Sequence, residues 1–316
     1  MPQTEKIPML CVVGPTASGK TALAVELARQ FGGEVISADS MQIYSEMQIG
    51  TARPTKEEMQ GVPHHLTGFL PLSKPYSVAR FVEDASRCAA DIFSRGKLPV
   101  LAGGTGLYVS SLVNGVSFAE EQRDPALRES LQRRAEQEGG EALLAELAAF
   151  DPESAARLHP NNLGRIIRAI EIYRQTGLTM TEQQERSRKK GSPFCLCMLG
   201  ITFADRQTLY ERIHLRVDRM LADGLEEEAR RVLAMDGGAT ALQAIGYKEL
   251  APYLRGECSR EEAVENLKRE TRRYAKRQLT WFRRDERIFW LERDRFATET
   301  ELIFAAAQQV EKSLGV

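Results

Sequence analysis

The segment Gly14-Pro15-Thr16-Ala17-Ser18-Gly19-Lys20-Thr21 follows directly on the apolar run Met9-Leu10-Cys11-Val12-Val13. It fits the spacing G-x-x-x-x-G-K-[ST] at every fixed position. An expected strand precedes it and an expected helix follows, the context in which such a loop binds phosphate. The glycines let backbone N–H groups converge on anion oxygens without Cβ clashes. The helix N-terminus adds partial positive charge. Lys20 supplies a point charge, and Thr21 can ligate Mg²⁺ or a phosphate oxygen. The alternative is a glycine-rich turn that holds no phosphate.

The segments that follow suit such a loop. A helix is expected from Thr21 to Phe31, then a strand Val35–Ala38 that delivers Asp39 and Ser40 at its carboxyl end. A polar, proline-bearing stretch (Gly50–Pro75) leads to a helix Ser77–Arg95 and a strand Leu98–Ala102. Gly103-Gly104-Thr105-Gly106 then opens another helix. Strand, glycine turn and helix in repetition predict an α/β fold, a parallel sheet with its ligand at the strands' carboxyl ends. Residues 118–194 are charge-rich and helical, without a strand candidate, and read as an insertion. The chain returns to the sheet at Phe194–Ile201. Helices are expected over Arg206–Ala234, Leu242–Arg255, Ser259–Arg284 and about 297–313, with one more strand at Ile288–Leu291. The predicted organisation is a P-loop nucleoside-triphosphate-hydrolase-like core from residues 1–117 and 195–316, with a helical insertion domain at 118–194.

The acidic residue that usually holds Mg²⁺ in a nucleotide hydrolase has no counterpart in Leu98-Pro99-Val100-Leu101-Ala102-Gly103-Gly104, which ends in glycines. Asp39 is the acid at a strand end. It either caps a turn or serves as a base toward an acceptor, and the second reading favours group transfer over hydrolysis.

No apolar stretch approaches the ~20 residues of a membrane span, and the N-terminal apolar run is too short for a signal peptide. The five cysteines are scattered, so a reduced, cytoplasmic protein is expected, with Cys195 and Cys197 as buried strand thiols rather than zinc ligands. His64-His65 are expected to pack beside the site, and His159 and His214 to lie on the surface. Net charge is −1, but residues 268–287 carry nine Lys/Arg against three Asp/Glu. Arg269, Arg272, Arg273, Lys276 and Arg277 recur on one side of the expected helix, with Leu267, Tyr274, Ala275, Trp281 and Phe282 largely on the other. Such a helix is either an ordinary surface helix with an apolar core stripe or a grip on a nucleic-acid backbone.

Together the phosphate loop, Ala38-Asp39-Ser40-Met41-Gln42-Ile43-Tyr44, the segment Ile49–Pro54, Pro63–Leu66 and Leu101–Tyr108 closely resemble the tRNA dimethylallyltransferases. Further matches run through Arg165–Tyr173, Tyr210–Leu221, Ala244–Leu250 and Tyr274–Arg283, so the resemblance covers nearly the whole chain in order. Without the C-terminal zinc-finger extension that eukaryotic relatives carry, a bacterial-type or organellar member is expected. The resemblance implies that the loop grips the diphosphate of dimethylallyl diphosphate, with Mg²⁺, while the prenyl group goes to N6 of adenosine 37 in tRNAs reading codons that begin with U. Diphosphate is then the leaving group, which fits the absence of a hydrolase's acid.

The resemblance also implies roles. Asp39 would be the general base, with Lys20 and Thr21 on the diphosphate and Thr105 and Arg216 near the reacting centre. Ser40, Met41 and Gln42 would read the flipped base. The insertion would embrace the anticodon stem-loop through Asn162, Arg165 and Arg168, with Arg128 also on tRNA. Its wider basic surface would include Arg186, Arg188, Lys189 and Lys190. Gln243, Gly246, Tyr247 and Lys248 would contact tRNA, as would Lys276, Arg277, Gln278, Trp281 and Arg283. A monomer acting on tRNA and dimethylallyl diphosphate is expected, with no membrane partner. The same chemistry on free AMP or ADP, a small-molecule kinase and a non-catalytic RNA binder are the alternatives.

Overall fold

In a computed structural model of the chain, the described residues are 6–116, 124–189, 191–235 and 243–315. They divide into two compact units, Met1–Val113 with Pro193–Val316, and Asn114–Ser192.

The first unit holds a six-stranded sheet in which every pairing is parallel. Its strands are β1 (Ile7–Val13), β2 (Glu34–Ser37), β3 (His64–His65), β4 (Pro99–Gly103), β5 (Phe194–Thr202) and β6 (Ile288–Glu292), in the order β3-β2-β4-β1-β5-β6. The helices are α1 (Lys20–Gln30), α2 (Lys56–Met59), α3 (Val78–Ser94) and α4 (Gly106–Val113) before the second unit. That unit contains α5 (Pro125–Glu138), α6 (Gly140–Phe150), α7 (Pro152–Ala156), α8 (Leu163–Thr176) and α9 (Met180–Lys189). The first unit resumes with α10 (Arg206–Ala222), α11 (Leu225–Leu233), α12 (Tyr247–Leu254), α13 (Arg260–Phe282) and α14 (Glu299–Leu314).

Because successive strand residues face opposite ways, β1 feeds two cores. Leu10 and Val12 pack with Leu23 and Leu27 of α1 and Leu302 and Val310 of α14. Met9, Cys11 and Val13 pack with Phe81 and Ala85 of α3 and Leu112 of α4. Each fully buried aliphatic side chain contributes about 1.5–3 kcal/mol, so the phosphate loop hangs from a strand buried on both faces. In the second unit Leu131, Leu143, Leu147, Ile166 and Ile170 form a separate core.

The expected helix over Arg206–Ala234 is two helices. Gly224 takes φ +99° between them, and the acidic run Glu226, Glu227 and Glu228 occupies the first turn of α11, where carboxylates suit the helix dipole. The expected helix from Leu242 begins instead at Tyr247, and Leu242 itself lies outside the described residues. His64 and His65 form the edge strand β3, with His65 Nε2 2.8 Å from Glu34 Oε2. Cys197 is buried but Cys195, near the start of β5, is exposed, which corrects the expectation of two buried thiols. His214 is half-buried against Arg272, not a free surface residue.

Candidate active site

The phosphate loop leaves β1 at Val13 and enters α1 at Lys20. Gly14 and Gly19 take φ +149° and +92°, and a Cβ on Gly14 would come within 2.7 Å of the Ile201 carbonyl. Outward-facing carbonyls of the loop are held by cations. Pro15 O accepts from Lys20 Nζ at 3.3 Å, Ala17 O from Arg212 Nε at 2.9 Å, and Ser18 O from Arg293 Nη1 at 3.4 Å. The Thr16 amide donates to Gln278 Oε1 at 2.8 Å. The amides opening α1 remain for an anion, as at any helix N-terminus. Ser18 Oγ is buried in this loop without a protein partner.

Asp39 stands just past β2. Its Oδ1 accepts the amides of Met41 at 2.9 Å and Gln42 at 3.4 Å, so it does cap a turn. Thr105, at the mouth of α4, accepts the Ser40 amide on Oγ1 at 3.0 Å and donates to Ser40 Oγ at 3.3 Å. Lys20, Arg216 and Asp39 lie near enough to act on one another's charge. Burial, then the like charge of Arg216, lowers Lys20 from 10.5 to about 8 against the opposing pull of Asp39. Burial likewise pulls Arg216 down, while Asp39 and Glu58 pull it up.

A cleft of about 450 Å³ opens beside Lys20 and Thr21. Its walls include Arg212, Arg216 and Arg219 of α10, together with Gln48, Ile49, Ala52, Arg53 and Glu58 from the β2–β3 connection. Five cations against Glu58 and Asp223 give it an excess of positive charge suited to a diphosphate. Arg53, Arg212 and Arg219 were not anticipated from sequence. The spacing 212, 216, 219, one face of a helix, is the signal that marks two of them. Tyr274, expected as a core aromatic, instead places its hydroxyl toward Thr105 and Gln278 and within electrostatic reach of Asp39.

The remaining expected contacts fall into three groups. Lys276, Arg277 and Arg283 are exposed along and just beyond α13. Trp281 is 36% exposed and packs over Gly106, so it is no core residue. Gln243 and Lys248 are also exposed.

Gln278 and Tyr247 do not fit a direct role on tRNA. Gln278 is 5% exposed, and its amide is spent on Thr16 N and on Gly104 O, to which Nε2 donates at 2.9 Å. Tyr247 is fully buried, and its hydroxyl donates to Glu228 Oε1 at 2.7 Å, while the neighbouring Gly246 is buried as well. Gln42 likewise spends its side chain inside the protein: Oε1 accepts from Ser37 Oγ, and Nε2 donates to the carbonyls of Thr51 and Ala52.

The helical unit carries Arg128, Asn162, Arg165 and Arg168. Arg128 and Arg168 flank the buried carboxylate of Glu171, at 3.3 and 3.4 Å, while Arg165 and Asn162 are exposed. Arg186 is exposed; Lys190 and the side chains of Arg188 and Lys189 lie outside the described residues.

A family model described as IPP transferase matches residues 42–285, and one described as Isopentenyl transferase matches residues 7–66. A tRNA dimethylallyltransferase of Acetivibrio thermocellus is 48% identical over 297 residues, covering 93% of this chain and 95% of the relative. That of Geobacillus thermodenitrificans is 47% identical over 307 residues, covering 95% and 96%. Among solved structures, a full-length tRNA isopentenylpyrophosphate transferase from Bacillus halodurans superposes with TM-score 0.72 at 42% identity, covering 98% of both chains. A eukaryotic dimethylallyltransferase crystallised while acting on tRNA gives TM-score 0.79 at 29% identity, covering 96% of this chain and 77% of that one.

Proposed function

The chain belongs to the IPP transferase family, and from that premise we propose that it transfers a dimethylallyl group from dimethylallyl diphosphate to N6 of adenosine 37 in tRNA. The observation that carries this reading is a cationic cleft walled by Lys20, Thr21 and Arg216, with Asp39 close enough to act on the charge of both Lys20 and Arg216. An anion grip thus lies within electrostatic reach of a carboxylate.

Departure of diphosphate leaves negative charge on its oxygens as the allylic C–O bond ionises. The α1 amides, Lys20 and Arg216 stabilise that charge as it develops. Asp39 keeps Oδ2 clear of the turn that Oδ1 caps, so this oxygen takes the proton from the exocyclic amine as the new C–N bond forms. Such base assistance is worth about 10²–10⁴-fold. Thr105 holds the Ser40 backbone and so sets the direction of Asp39.

Thr21 and the unpartnered Ser18 hydroxyl offer oxygen ligands of the kind Mg²⁺ takes beside a diphosphate. When bound, the ion would neutralise charge on the leaving group. Arg165, Asn162 and the exposed cations of α13 are proposed to hold the anticodon stem-loop. No described helix is long and apolar enough to cross a membrane, and the five thiols are free; we propose a cytoplasmic monomer.

The test is label transfer from prenyl diphosphate, with Mg²⁺, to a tRNA bearing A36-A37-A38, with AMP as the competing acceptor. Label on A37 supports the reading. Label on AMP alone would reassign the acceptor, and transfer to neither would remove the activity.

A further inference from the structure

We propose that Glu228 is a positioning residue for the prenyl-diphosphate site, because one buried carboxylate holds in place the segment that walls the cleft. Glu228 is 2% exposed in the first turn of α11. It accepts the amides of three successive residues: Gln48 at 2.9 Å, Ile49 at 2.9 Å and Gly50 at 2.8 Å. A fourth donor, the Tyr247 hydroxyl, closes the set at 2.7 Å. An uncompensated carboxylate in such surroundings is strongly disfavoured. Four convergent donors offset that cost, and in doing so they fix the backbone direction of the segment that supplies them.

What is fixed there reaches the ligand. Gln48 passes the constraint on, since its Oε1 accepts from Arg53 Nε at 2.6 Å. Arg53 also donates to the carbonyls of Tyr44 at 3.0 Å and Ser45 at 3.2 Å. Gln48, Ile49, Ala52 and Arg53 wall the same cleft as Lys20 and Arg216. Glu228 therefore acts through the segment it holds and touches no substrate. This inference rests on the reading that the donor diphosphate occupies this cleft.

The test compares Glu228→Gln and Tyr247→Phe with the wild type in the full chain. Glu228→Gln keeps the shape but turns an acceptor oxygen into an NH₂ group facing N–H donors. The KM for dimethylallyl diphosphate should rise about tenfold, the loss of roughly one charge-assisted hydrogen bond, while tRNA affinity stays unchanged. Tyr247→Phe, which removes one donor of four, should move donor KM the same way by a smaller factor and serves if the first variant does not fold. A donor KM within twofold of wild type, or equal losses in donor and tRNA affinity, overturns the proposal. Lys20→Ala and Arg216→Ala test the underlying reading separately. If they weaken donor binding while the Glu228 and Tyr247 variants do not, the positioning role alone falls. If they leave it unchanged, the donor lies elsewhere and both fall.

Discussion

Gln278 and Thr16, 262 residues apart in sequence, meet through a 2.8 Å hydrogen bond from the Thr16 amide to the Gln278 carbonyl. The other end of the same side chain donates to Gly104 O at 2.9 Å. One buried amide thus joins α13 to both the phosphate loop and the turn that carries Thr105. Replacing Gln278 with Ala leaves two polar groups without partners, at about 1–3 kcal/mol each. The expected outcome is a lower Tm and a loss of kcat/KM for the prenyl donor. Gln278→Glu should fare worse at Gly104, because a carboxylate cannot donate there. Thermal melts and donor kinetics on the two variants check this.

Lys20 is lowered to about 8 by burial and the neighbouring Arg216. It is charged below that value and neutral above it, and the charged form grips diphosphate. The kcat/KM for the prenyl donor, which reports the free enzyme, should fall as pH rises through about 8. Lys20→Arg should abolish that descending limb whatever activity it keeps. A limb that persists in the Arg variant would assign it to another group.

Asp39→Asn should lower transfer by about 10²–10⁴-fold while tRNA binding holds. Asn keeps an acceptor for the Met41 and Gln42 amides, so the turn survives and only proton removal is lost. Single-turnover transfer with a parallel tRNA-binding measurement separates the two effects. Undiminished turnover would leave the turn cap as the sole role of Asp39.

Glu34, 2% exposed, accepts from Arg95 Nη1 and Nη2 at 2.5 and 2.7 Å and from Lys97 Nζ at 2.7 Å. The Arg95 hydrogen bonds lead in holding its carboxyl far below the ordinary carboxylate range, against desolvation. The folded value therefore lies below the unfolded one. Its stabilisation is complete above the unfolded value of about 4.3 and drains as pH falls from there. Glu34→Gln should cost about 1–3 kcal/mol at pH 7, a range reduced because Arg95 and Lys97 keep solvent contact. The variant's stability should also change less steeply below about pH 4. Urea midpoints at pH 7, 4 and 3 check both statements.

Local patterns carried much of this fold. The run Met9–Val13, the glycine loop and α1 are neighbours in sequence, so their signals arrive together. The edge strand His64–His65 is too short to show any period. Gly224, with one residue between it and three glutamates, marks a helix end and a new start inside the expected helix Arg206–Ala234. Tyr247 and Gln278 misled for a different reason. Their burial depends on Glu228, Thr16 and Gly104, partners that no window around either residue contains. Arg212 shares a helix face with Arg216 and Arg219, but its bond to the Ala17 carbonyl, 195 residues away, is equally outside any local window.

Strand β1 has a consequence in time as well as in space. Leu10 pairs with Val100 and Cys11 with Met198, so the strand bearing the phosphate loop is synthesised before both neighbours and finds the second one late. Closing such long loops costs entropy before any pairing repays it. Until residue 198 is made, one edge of β1 stays open and apolar, the condition under which a nascent chain most needs shielding from its neighbours.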